Sequence, residues 1–180
     1  MAMTTYCDSA PGHPFHGSYH DTEYGFPSAD EAVLFERLVL EINQAGLSWL
    51  TVLRKRAAFK AAFEGFDVER VAGYGDADRA RLLGDAAIIR NRLKVNAAIE
   101  NAKRILAMRA SHGGFGAWLD AHHPLDKPAW VKLFKGTFLF TGGEITGEFL
   151  MSTGYLPGAH VPDCPIYRTI ARLDPPWRHS

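Results

Sequence analysis

Cysteine is scarce in this chain, with two residues among 180. Two thiols close at most one disulfide, so a small scaffold stapled by several bridges is excluded. Net charge is missing as well, because 20 basic side chains balance 20 acidic ones. Any nucleic-acid contact must therefore come from a local basic surface rather than a global field. Long apolar runs are absent: stretches such as Leu38–Leu40 and Phe138–Phe140 fall far short of a bilayer. No basic region followed by an apolar core opens the sequence, so the expected location is cytoplasmic, where thiols stay reduced. Period-two alternation is confined to Thr137–Thr141, which argues for an all-α fold.

What is present is an apolar content of 47%, enough to bury a real core in one compact domain or two closely packed lobes. The segment through Pro27 is rich in Gly, Pro, His and Tyr and lacks periodicity, so it reads as an ordered loop wrapping the body. Ser28 or Asp30 can cap a helix from Glu31 to Asn43, where Leu34, Leu38 and Ile42 form one apolar stripe. Gly46 breaks that pattern, and a second helix begins near Ser48 and ends at Gly65. Asp67 and Asp76 are N-cap candidates for two short helices, and a longer one runs from about Asn91 to Ser111. Phe115–Ala121 forms another, with His122, His123 and Pro124 as an exposed breaker.

Cys7 and Cys164 stand near opposite ends of the chain, each with a histidine at ligand-like spacing, His20 and His160. Two thiolates and two imidazoles suit tetrahedral zinc, and a set without an open position is usually structural. A disulfide between the two thiols, or two unrelated thiols with surface histidines, are the competing readings. Arg90, Arg92 and Lys94 make a small basic cluster that could meet phosphates or simply be a solvated helix face. Gly136 through Gly143, between the helix-like Trp130–Lys135 and Ile145–Thr153, resembles a helix–hairpin–helix turn. There Gly136, Gly142 and Gly143 would let the backbone approach a phosphate.

The segment Glu41-Ile-Asn-Gln-Ala-Gly-Leu-Ser-Trp49 carries the sharpest chemical hint. A carboxylate near the end of an apolar helix, followed by a turn glycine and a tryptophan, sets a hydrogen-bond acceptor beside a stacking plane. Purine recognition uses that combination, although a solvated Glu41 and a core Trp49 would also account for it.

Taken together, these motifs resemble the 3-methyladenine DNA glycosylase I family of the helix–hairpin–helix superfamily. The resemblance covers Tyr19-His20-Asp21 with Glu23 and Gly25, the segment from Glu41 through Gln44-Ala45-Gly46-Leu47-Ser48-Trp49, and Thr51-Val52-Leu53. It continues through Asp85-Ala86, Ile88-Ile89-Arg90, Arg92 and Lys94 to Gly154, His160 and Cys164, in family order over nearly the whole chain.

The resemblance implies one all-α glycosylase domain over residues 1–180, its ends joined by a structural zinc on Cys7, His20, His160 and Cys164. It implies excision of flipped 3-methyladenine from alkylated duplex DNA, leaving an abasic site. Glu41 would be the catalytic pocket carboxylate accepting from the adenine edge, Tyr19 a polar contact and Trp49 the stacking plane, with the hairpin on the DNA backbone. No lysine is placed as a Schiff-base nucleophile, so lyase activity is not expected.

Departures from the family pattern accompany it. The usual pocket tryptophan falls at Ser9, a pocket tyrosine at His16, and a tryptophan after the Tyr-His-Asp motif at Tyr24. These changes predict a more open pocket or a shifted preference. The segment between Trp118 and Trp130 is shorter than in the best-known members. Asp163, in the region where many superfamily relatives carry a catalytic aspartate, reads as a turn residue. A non-catalytic DNA-binding module of the same fold, or a glycosylase for another modified purine, are the alternatives.

Overall fold

The structure, a computed structural model, describes residues 3–180, and among these every regular element is helical. Helix α3 (Glu31–Gln44) is the centre. Ten of its fourteen residues are buried, and it packs against α4 (Trp49–Ala62), α7 (Arg92–His112), α8 (Phe115–His122) and α10 (Gly143–Ser152). Its apolar stripe alone would leave a face for water. The helix is instead enclosed, and its polar residues Arg37, Glu41 and Asn43 are buried with the rest.

Local cap chemistry sets the helix starts. Asp30 accepts from the amides of Ala32 and Val33, Ser48 from Thr51, and Asn91 from Lys94, each satisfying a donor the helix leaves free. Asp67 does the same for α5 (Val68–Ala72). Asp76 does not cap: Gly75 is the N-cap of α6 (Asp76–Gly84), and Asp78 reaches back to accept from its amide at 3.1 Å. The glycine there leaves the reverse half of the box to the acid.

The expected N-terminal loop is partly helical. Thr5 and Asp8 bond reciprocally to start α1 (Tyr6–Ser9), and α2 (His16–Thr22) follows. Both are too short to show a 3.6-residue period, so pattern reading misses them. Gly25 then passes close to the C-terminal segment with φ +88, its amide donating to the Ser152 carbonyl. A Cβ at Gly25 would lie 2.9 Å from that of Ala159, so only glycine fits.

The C-terminal half supplies α9 (Lys127–Thr137), α10 and α11 (Pro165–Arg172). Residues 138–142 connect α9 to α10 without forming strands. Gly136 sits inside the last turn of α9, whereas Gly142 is the N-cap and Gly143 the first residue of α10. The aromatic core below this connection joins Phe115, Phe134, Phe138 and Phe149, with ring centres 5.2–5.6 Å apart. That packing anchors the hairpin to the body.

Candidate functional site

The base of the site is the C-terminal end of α3. Lys94, read from the sequence as part of a basic cluster, is buried and donates from Nζ to the carbonyls of Asn43 at 2.8 Å and Ala45 at 2.6 Å. It thus satisfies two carbonyls at the end of α3 and is withdrawn from any phosphate. Gly46 turns the chain at φ +77, and the Ser48 cap starts α4 with Trp49 in its first position. Glu41 and Trp49 are thereby held on either side of one turn.

Together they line a cavity of about 480 Å³. Tyr6, Tyr19 and Tyr24 enter it from the N-terminal segment, and Glu144, Glu148 and Met151 from α10. Lys127, the first residue of α9, completes the wall with Gln44. Tyr19 is tilted against Trp49 at 5.2 Å and stacked on Tyr24 at 5.7 Å, so the cavity has an aromatic side and an acidic one.

Tyr6 was missed by sequence reading, and the reason is visible in the packing. Its ring meets Tyr24 edge-on at 5.5 Å, and its hydroxyl is 2.9 Å from His16 Nδ1. His16, expected in the pocket, is not among its lining residues and meets the lining residue Tyr6. Ser9 is exposed, hydrogen-bonded to carbonyls of its own turn. A tyrosine one residue before Cys7 is the signal that could have located the pocket aromatic.

Burial governs the electrostatics. Glu41 is buried, and loss of solvent together with nearby Glu148 pushes its carboxyl up to about 8, against the pull of Arg37. Glu148 is also raised by burial, opposed by a hydrogen bond from Tyr24 and by Lys127. Arg37 stacks over the Tyr19 ring at 5.1 Å and donates to the Ser152 carbonyl, which ties α3 to the end of α10. The buried Tyr19 hydroxyl has no hydrogen-bond partner among the described residues.

Next to the pocket, and sharing Gln44 and Glu144 with it, a groove runs between residues 44–48 and 142–145. Exposed Leu47 and Gly142 lie on its two sides. The first turn of α10 lines this groove, and a helix N-terminus favours an anion such as phosphate. Arg90 and Arg92 are exposed at the start of α7.

Cys7, His20, His160 and Cys164 converge, their ligand atoms all within 4.8 Å of one another. Cys7 Sγ lies 3.6 Å from His160 Nδ1, and Cys164 Sγ lies 3.7 Å from His20 Nε2. Both cysteines are free, so the disulfide reading falls. Each imidazole's remaining nitrogen is engaged, His20 Nδ1 by Asp21 at 2.7 Å and His160 Nε2 by the Tyr24 carbonyl at 2.7 Å. Such outer partners fix which nitrogen faces inward, as metal-ligating histidines require. The four residues fit a metal ion. Asp163 lies exposed in the turn before Cys164, away from the cavity lining.

The family model for methyladenine glycosylase matches residues 9–130. A DNA-3-methyladenine glycosylase of Haemophilus influenzae is 34% identical over 182 residues, covering 91% of this chain and 98% of that protein. DNA-3-methyladenine glycosylase 1 of Escherichia coli is 37% identical, covering 86% and 92%. Among solved structures, a 3-methyladenine DNA glycosylase I superposes with a TM-score of 0.78 at 34% identity, covering 88% of this chain and 97% of that one. A single-residue variant of such an enzyme in complex with 3-methyladenine superposes with a TM-score of 0.78 at 29% identity, covering 91% and 97%.

Proposed function

The chain belongs to the methyladenine glycosylase family, and from that premise we propose that it excises 3-methyladenine from alkylated duplex DNA by hydrolysis. The observation that carries this reading is the pocket: buried Glu41, Trp49 and Tyr19, whose buried hydroxyl is unpartnered, line one cavity. The flipped purine stacks on Trp49, its edge donors meet Glu41, and Tyr19 supplies a further polar contact.

The chemistry needs little acid catalysis. Alkylation at N3 makes the base cationic, so the bond between the sugar C1′ and N9 is already weakened. When it breaks, its electron pair returns to the base, which leaves neutral, and a water oxygen bonds C1′ while releasing a proton to solvent. An acidic, aromatic pocket favours the cation over adenine, the aromatic part contributing about 0.5–2 kcal/mol.

The DNA backbone is held by Gly142 and Gly143 at the start of α10, with Arg90 and Arg92 adding phosphate contacts. Gly136, inside α9, serves the approach of that helix rather than the turn itself. The Cys7, His20, His160 and Cys164 set holds Zn2+, whose contribution is structural: four protein ligands leave no position for water or substrate. It joins the Tyr6, Tyr19 and Tyr24 segment to the C-terminal region. In this reading residues 1–180 act as one domain, working in the cytoplasm. No described helix is long and apolar enough to cross a membrane.

Chromatography of bases released from methylated DNA tests the reading. Release of 3-methyladenine by the zinc-loaded protein is expected. DNA binding with no base released would replace the enzyme by a binding module, and release of a different modified purine would change the substrate.

A further inference from the structure

Glu148 takes no part in the base contacts assigned above, yet it lines the same cavity as Glu41 and Trp49. It stands on α10 one turn after Glu144, half-buried. The Tyr24 hydroxyl donates to its Oε2 at 3.2 Å. Lys127 reaches the cavity by crossing Gly147, where a Cβ would lie 2.9 Å from Lys127 Cε. A second carboxyl in a partly dry cavity is costly to keep, and the tyrosine fixes its direction without cancelling its charge.

We propose that Glu148 is a specificity-determining residue of the base pocket, a second carboxylate beside Glu41 that makes positive charge on the purine the condition for binding. The proposal rests on the glycosylase reading for its substrate.

The division of labour follows from the surroundings. Glu41 is the deeper of the two carboxyls, with Arg37 on its own helix and the hydroxyls of Tyr6, Tyr19 and Tyr24 arriving from the N-terminal segment. Glu148 has Lys127 and Glu144 as charged neighbours and accepts from Tyr24. Its presence raises the cost of ionising Glu41. Glu148, the less buried of the two and faced by Lys127, is the easier to ionise, while burial and the presence of Glu148 favour the proton on Glu41. A neutral purine offers Glu148 nothing that water does not. A cationic purine is attracted to it and lets Glu41 ionise, so both carboxylates strengthen binding only when the base is charged.

The test is the isosteric Glu148→Gln variant, compared with wild type in calorimetric binding of two free probes. One is 3,9-dimethyladeninium, a fixed cation, and the other is neutral 9-methyladenine. Wild type is expected to favour the cation by about tenfold or more, and the variant to lose most of that ratio. Excision of 3-methyladenine by the variant should fall about tenfold in kcat/KM. Its pH profile should also move to lower pH, because Glu41 loses an anionic neighbour, a shift that a purely structural role would not produce. An unchanged cation preference in the variant, or no preference in wild type, overturns the proposal. If wild type prefers the cation and the variant does not, but no methylated base is released from DNA, Glu148 stands and the glycosylase reading fails.

Discussion

Lys94 Nζ lies 2.8 Å from the Asn43 carbonyl, two residues beyond Glu41. The ammonium also reaches Ala45, and burial pulls its pKa down, so the charge is retained for these carbonyls against a solvation cost. Replacing it with an apolar chain of similar length leaves two buried acceptors without a donor. Lys94→Met should lower stability by about 2–4 kcal/mol, read by urea denaturation. Because the turn to Trp49 loosens with it, base excision should fall further than stability accounts for at a temperature where the variant is folded. A Lys94→Met protein as stable as wild type would assign Lys94 to the surface.

Glu41→Gln should reduce excision at least a hundredfold with the fold intact. Its second signature is in stability. Glu41 has its folded pKa raised to about 8 from an unfolded value near 4.5, so the folded state holds its proton more tightly. That contribution is fully present below about pH 4.5 and is lost as pH rises through 8, at up to about 1.4 kcal/mol per pH unit. The glutamine cannot titrate. The variant should therefore gain on wild type between pH 5 and 8, and denaturation at both ends of this window decides it. Parallel pH dependence in the two proteins would place Glu41 in solvent.

Much of this site was legible before folding because its signals are local. Asp30, Ser48 and Asn91 cap the helices the sequence suggested, since a cap is a contact over two or three residues. Glu41 and Trp49 share one short segment. Tyr6 and Glu148 were not legible, because each enters the cavity only through long-range docking of α1 and α10. The same limit explains Lys94. Sequence displays a charge but not its burial, so a lysine two residues from Arg92 looks like a phosphate ligand when it is a helix cap.

Elemental analysis should find about one zinc per chain. Chelation should lower the melting temperature by several degrees, since metal binding free energy is coupled to folding. Cys164→Ser should do the same without chelator. The loss should concentrate in hydrogen exchange of residues 3–25, which α11 and the Cys/His set hold in place. Metal-free protein with unchanged melting and unchanged exchange would leave the four residues as an unligated cluster.

Trp49 forms the aromatic side of the cavity with Tyr19. Trp49→Ala should weaken binding of a cationic purine about three- to thirtyfold, the equivalent of roughly 0.5–2 kcal/mol. Trp49→Phe should recover most of it, because a smaller aromatic face persists. Equal loss in both variants would point to the indole nitrogen instead of the ring face.

Arg90 and Arg92 remain the exposed cations that sequence reading and structure both leave at the start of α7, after Lys94 is withdrawn into the core. With no net charge on the chain, duplex affinity has to be local, and local phosphate contacts are counted by salt. Each phosphate neutralised contributes about 0.9 to the slope of log affinity against log salt concentration. Arg90→Ala and Arg92→Ala should each reduce that slope by about one, and the double variant by about two, while binding of the free base stays unchanged. That separation matters because the pocket is acidic and DNA is an anion. The surface that holds the backbone must be distinct from the cavity that holds the base, and a salt slope unaltered by both substitutions would move that surface away from α7 to the hairpin alone.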